Sequence, residues 1–62
     1  MRQNLYIARR ENRMTQEAVS KVINISKHTY YMKETGKRDF TLTEAKKLAK
    51  HFKTTVDDLF EK

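Results

Sequence analysis

Hydrophobic positions recur at helical spacing along the chain. Leu5 and Ala8 fall at i, i+3, and Val19, Val22 and Ile23 at i, i+3, i+4. Leu42, Ala45, Leu48, Ala49 and Phe52 form the clearest apolar stripe. Alternation of period two is not sustained anywhere, so strands are not predicted. Polar residues punctuate the pattern where helices start. Thr15 can cap a helix beginning at Gln16, and Ser26 one beginning at Lys27. Thr41-Leu42-Thr43-Glu44 has the spacing of a capping box, with Phe40 one residue upstream. Thr55 precedes Val56-Asp57-Asp58, which places two carboxylates in a first turn, where the helix dipole favours them. Gly36 and Asn24, which accept left-handed backbone most readily, mark helix ends. The spacing predicts five helices, over 2–11, 15–23, 26–34, 41–52 and 55–61, in a single all-α domain over 1–62. Only about Asn24 and Ile25 separate the second helix from the third. Helices joined that tightly cross steeply, as a helix-turn-helix.

Length and composition narrow the chemistry. A chain of 62 residues is one small domain with a thin stability margin and no room for a deep catalytic cleft. It has no cysteine, so disulfides and thiolate-bound metals are excluded. No apolar run approaches the ~20 residues of a membrane span, and the first residues lack an apolar signal core. The expected compartment is therefore the cytoplasm. His28 and His51 are the only histidines and lack metal-ligand spacing, so neither a metal nor another cofactor is expected. No nucleophile–base pair or phosphate-binding glycine loop is present, which argues against an enzyme.

Charge changes the picture further. Fourteen Lys and Arg face eight Asp and Glu, for a net +6. Residues 1–38 hold nine of the basic and three of the acidic side chains, whereas residues 39–62 balance. An excess on one part of a small domain suggests a polyanion partner, nucleic acid before anionic membrane. On charge alone, a merely solubilised surface remains the competing reading.

Three elements in register make the reading specific. Thr15-Gln16-Glu17-Ala18-Val19, then Ile25-Ser26, then Glu34-Thr35-Gly36-Lys37-Arg38 resembles the phage-repressor (XRE-type) helix-turn-helix family. The tail from Leu42-Thr43-Glu44-Ala45 through Leu48-Ala49 to Val56-Asp57-Asp58-Leu59-Phe60 is similar to that family's fourth and fifth helices. The resemblance covers about residues 4–60. It implies a compact five-helix domain whose third helix enters the major groove of double-stranded DNA while the second lies across the backbone.

The resemblance also implies roles for particular residues. Gln16, opening the second helix, touches a phosphate and braces the third; an amide beside helix-start N–H groups suits an anionic oxygen. Lys27 and His28 match the first base-reading pair. Lys27 can donate to guanine, and His28 donates or accepts according to its tautomer. Thr29, Tyr31 and Met32 continue the helix, with 28, 31 and 32 on one face. Tyr30 takes the place of a buried aliphatic and is assigned to the core. Met32 matches a base-reading position and offers apolar contact, for example with a thymine methyl. A packing or dimer face is the competing reading of Tyr31 and Met32. Arg9 and Glu34 match an ion pair that joins the first helix to the end of the third, a structural role. Thr35, Lys37 and Arg38 follow that helix. Backbone N–H groups beside Gly36, with the two cations, make a phosphate clamp, against the plainer reading of a capping loop with solvated charges.

The chain departs from the family pattern at Lys33, which stands where a buried aliphatic is usual, so that either the lysine snorkels or the helix rotates. Asn24 replaces a common glycine and Phe40 a common proline, and Ile7 has no assigned place. The expected function is a sequence-specific double-stranded DNA-binding transcriptional regulator of phage or prophage type, acting by operator occupancy. A homodimer on a pseudo-palindromic operator is expected, using the fifth helix and the loop before it, with Phe60 as anchor and Leu59 in the core. No membrane or small-molecule partner is evident. The rival class is a protein-interaction module on the same fold, such as an antitoxin. A basic membrane-surface protein would need an unpacked amphipathic helix, and the five-helix core leaves none spare.

Overall fold

The computed structural model describes residues 2–60. Its helices run α1 (Gln3–Glu11), α2 (Gln16–Val22), α3 (Lys27–Glu34), α4 (Leu42–His51) and α5 (Val56–Phe60). All five predicted segments are present, and α1, α2, α3 and α4 are each a residue or two shorter than predicted because terminal residues serve as caps. Glu61, the last residue of the fifth predicted helix, lies outside the described residues.

Local side-chain chemistry sets the starts. The hydroxyls of Thr15, Ser26 and Thr55 accept from the N–H groups of Ala18, Thr29 and Asp58 at 3.0, 3.1 and 3.1 Å. At α4 the box closes in both directions. Glu44 N–H donates to Thr41 at 3.1 Å, and Thr41 N–H donates to the Glu44 carboxylate at 3.0 Å.

The ends of α1, α2, α3 and α4 share one device. Arg13, Asn24, Gly36 and Lys53 have φ of 55°, 59°, 90° and 58°. Each follows a helix, and each lets its own N–H and the next one fold back onto the last turn. Arg13 and Met14 reach the carbonyls of Arg10 and Arg9, Asn24 and Ile25 those of Lys21 and Ser20. Gly36 and Lys37 reach Lys33 and Met32, and Lys53 and Thr54 reach Lys50 and Ala49. These are Schellman closures, and only one of the four uses glycine.

Leu5, Val19, Ile23, Tyr30, Leu48, Ala49 and Leu59 make the core, with Met14, Ile25, Phe40, Phe52 and Phe60 among the residues packed around it. The α2 and α3 helices pack together, α5 packs against α1 and α4, and α4 also meets α2. One member of the predicted stripe is misplaced. Leu42 is 64% exposed, because it opens the first turn of α4 and the core begins at Ala45. Ile7, unassigned from the sequence, is 42% exposed.

The most heavily bonded group in the interior is the carboxylate of Glu34, only 1% exposed. Arg9 donates to it twice, from Nε at 2.8 Å and Nη2 at 3.2 Å. The Tyr30 hydroxyl donates at 2.7 Å and Gln16 Nε2 at 3.1 Å. Arg9 also donates to the Met14 carbonyl at 3.0 Å. Burial alone would raise the Glu34 pKa, but the bonds from Arg9, Tyr30 and Gln16 outweigh it and hold the acid below its usual range. Burial, together with the bond to Glu34, pushes the Tyr30 phenol far up.

Two predictions follow from this interior. Replacing Glu34 by Ala strands Arg9 and the Tyr30 hydroxyl and is expected to cost about 3–5 kcal/mol. It lowers the melting temperature, and DNA affinity falls only through unfolding; unchanged thermal stability contradicts the role. Acid should also destabilise the fold. Glu34 and Glu44 both titrate below the ordinary carboxylate value. The stability they lend is thus present at neutral pH and disappears as pH falls past the ordinary carboxylate value of 4.5 and through their lowered folded values. In Glu44→Gln, unfolding monitored by circular dichroism should show a shallower loss in that window.

Candidate nucleic-acid interface

The helix-turn-helix is formed by α2 and α3, and burial along α3 separates an inner from an outer face. Tyr30 and Glu34 are buried, whereas Lys27, His28 and Tyr31 are exposed, with Thr29, Met32 and Thr35 half-buried. His28, Tyr31, Met32 and Thr35 fall at i, i+3, i+4 and i+7, so they line one stripe. Two hydroxyls on the helix are engaged within it. Thr29 Oγ1 accepts from the Ser26 hydroxyl at 2.8 Å, and the Thr35 hydroxyl donates to the Tyr31 carbonyl at 2.9 Å. Of the predicted base-facing residues, Lys27, His28, Tyr31 and Met32 therefore present uncommitted side-chain surface.

Lys33 neither snorkels nor rotates the helix outward. Its side chain is 11% exposed, and Nζ sits 2.6 Å from the Glu44 carboxylate and 5.9 Å from the centre of the Phe40 ring. The charge is neutralised in place by the glutamate of the α4 capping box, which leaves Tyr30 in the core and Tyr31 outside. Phe40 fills the space beneath, edge-on to Tyr30 at 6.0 Å and tilted against Phe60 at 5.3 Å. Hydrogen bonds from Lys33 and the Thr41 backbone hold the Glu44 acid low, against the opposing pull of burial.

The loop after α3 needs one correction. The backbone N–H groups beside Gly36 are not free for a phosphate. Gly36 donates to Lys33, and Lys37 and Arg38 both donate to the Met32 carbonyl, at 2.9 and 3.2 Å for the latter two. The Schellman closure takes them. What the loop offers is the side chains of Lys37 and Arg38, both exposed. The Lys37 ammonium lies 6.0 Å from the Tyr31 ring centre, which joins loop and helix stripe in one surface. Gln16, at the start of α2, is half-buried and spends one amide donor on Glu34. That bond ties the first turn of α2 to the end of α3.

Two features of the charge distribution are invisible in a count along the chain. Among the described residues the ion pairs are Arg2–Asp39, Arg9–Glu34 and Lys33–Glu44. Three cations of the basic segment are thus turned inward, and two of the pairs cross the boundary at residue 38. Arg10, in the last turn of α1, and Arg13, in the turn that leads to α2, are by contrast exposed. Arg10 rests on Tyr6, with a 3.1 Å bond to its hydroxyl. The signal that could have singled them out is their position beside Gln16, not their number. A shallow cleft of about 260 Å³ between α1 and α5 is lined by Glu11 and Asp58 with Ile7, Phe52 and Leu59. Its carboxylates disfavour an anionic ligand there.

No helix of the described residues is long and apolar enough to cross a membrane. Comparison with curated proteins and with solved structures gave no match. A helix-turn-helix family model matches residues 5–59. That span takes in all the predicted contact residues and the whole of α2, α3 and α4. Domains of this family bind DNA and are not enzymes. The chain belongs to the XRE-type helix-turn-helix family of DNA-binding transcriptional regulators.

Proposed function

We propose that this regulator reads a specific double-stranded sequence with α3 in the major groove and acts by occupying an operator, in the manner of phage or prophage regulators. The observation that carries the reading is the outer stripe of α3, bounded by cations outside the three ion pairs formed among the described residues. Lys27 and His28 supply hydrogen-bonding groups for base edges, and Tyr31 and Met32 supply apolar contact. Gln16, Thr35, Lys37 and Arg38 flank them as backbone contacts, joined by Arg10 from the end of α1 and Arg13 from the turn after it. Arg9 and Glu34 hold the two helices in register from inside. A bacterial cytoplasm is the matching compartment.

A homodimer on a pseudo-palindromic operator completes the proposal, with α5 and the loop before it as the contact region. Phe60 offers only part of its ring to such a contact, since Phe40 and the Arg2 guanidinium cover the rest. The apolar character of Tyr31 and Met32 favours one alternative, a protein-binding module on the same fold.

Selection from a random duplex pool separates these readings. Enriched sequences with two related half-sites are expected, and affinity should fall steeply with salt. No enrichment, with salt-insensitive binding to a protein, sinks the operator reading. Two variants sharpen it. Lys27→Ala should relax preference at one base position, with a loss of about 1–3 kcal/mol. Lys37→Ala should weaken all sequences alike and reduce the salt slope by about one.

A further inference from the structure

Arg2 belongs to the basic segment, and its position near the start of the chain invites the reading of one more phosphate contact. Its surroundings point elsewhere. The backbone N–H of Arg2 donates to the Glu34 carbonyl at 2.9 Å, and its Nε donates to the Lys33 carbonyl at 3.1 Å. These are the last two carbonyls of α3, which no residue of α3 itself can satisfy. The positive guanidinium stands at the negative end of the helix. Its Nη2 donates to Asp39 at 3.0 Å, and its carbon lies 5.4 Å and 5.8 Å from the ring centres of Phe40 and Phe60. The side chain is only 23% exposed. The carbonyl of the same residue accepts the first backbone bond of α1, from Tyr6 at 3.0 Å.

One residue therefore starts α1, caps the far end of α3, anchors the loop that carries Lys37 and Arg38, and covers the aromatic pair beneath that loop. Asp39 directly follows Arg38. The Asp39 side chain is 94% exposed, so this pair is a weaker tie added to the two bonds on the α3 carbonyls. We infer that Arg2 is a positioning residue for the DNA interface: it sets the end of the recognition helix and its cationic loop before DNA arrives, and itself touches no DNA. The role rests on the DNA-reading proposal and names a residue that proposal does not use. Pre-organisation of this kind acts by removing an ordering cost from binding.

The test compares Arg2→Ala and Arg2→Lys with the wild type, and with Leu48→Val as a destabilised control inside the core, in α4. Duplex affinity is measured over a range of salt, well below every melting temperature. Amide hydrogen exchange is measured on the free proteins. Arg2→Ala should weaken binding to all duplexes by about tenfold, the range of one charge-assisted hydrogen bond, with an unchanged salt slope. Arg2→Lys, which keeps the charge but loses the planar fork, should fall between. The Lys37 and Arg38 amides should exchange faster in free Arg2→Ala, and Leu48→Val should keep wild-type affinity. A salt slope reduced by about one makes Arg2 a phosphate contact and overturns the inference. So does unchanged affinity or exchange in Arg2→Ala, or a loss in Leu48→Val that matches its loss of stability as closely. A wild-type chain without duplex affinity overturns the DNA reading and this role together. A binding wild type beside an equally tight Arg2→Ala overturns this inference alone.

Discussion

A carboxylate with almost no solvent exposure sits where three helices meet, and the arrangement of α1, α2 and α3 depends on it. Glu34 takes hydrogen bonds from Arg9, Gln16 and Tyr30. Such a group contributes little by being buried, since desolvation offsets much of the attraction. Its value is in what it disallows. Any rotation of α3 that turned Tyr30 outward would leave Arg9 facing an empty site, and any drift of α2 would release Gln16. Apolar contact between small helices tolerates sliding by a few degrees; a fully satisfied polar cluster does not. Among the described residues no buried side-chain nitrogen or oxygen is left without a partner, so the specificity comes without a stranded polar group.

The same logic extends to the edge of the recognition helix. Lys33 with Glu44, and Arg2 with Asp39, continue the polar brace from the interior to the loop and to the start of α4. Phe40 sits between them as an apolar spacer touched by both cations. The net +6 of the chain thus divides into cations that build the fold and cations left for a ligand. Only the second group contributes to the long-range field that draws in a polyanion.

Much of this is legible in the sequence, for physical reasons that differ by element. Helix starts are encoded within four residues by a hydroxyl and the N–H groups it meets, so Thr15, Ser26, Thr41 and Thr55 could be read directly. Helix ends were half legible. Gly36 and Asn24 announce left-handed backbone; Arg13 and Lys53 adopt it without announcing it, because returning backbone bonds support the turn whatever the side chain. Leu42 was misread because the periodic stripe extends past the point where the core ends. The free N–H groups expected beside Gly36 were misread because the capping motif was not counted as their consumer. Lys33 and Arg2 were opaque for a further reason. Their partners lie 11 and 37 residues away, and no local pattern connects them.

The four left-handed turns have a consequence for how such a chain can change. Where a turn is closed by backbone atoms, the side chain at its tip is released from structural duty. Residues 13, 24, 36 and 53 already hold an arginine, an asparagine, a glycine and a lysine in one conformation. The conformational cost of a non-glycine there is about 1–2 kcal/mol, and a cation at a helix end recovers part of it. These tips are places where surface charge can be rewritten while the helices keep their register. Potential and architecture are then adjustable one at a time, which suits a fold that must recognise new sequences without being rebuilt.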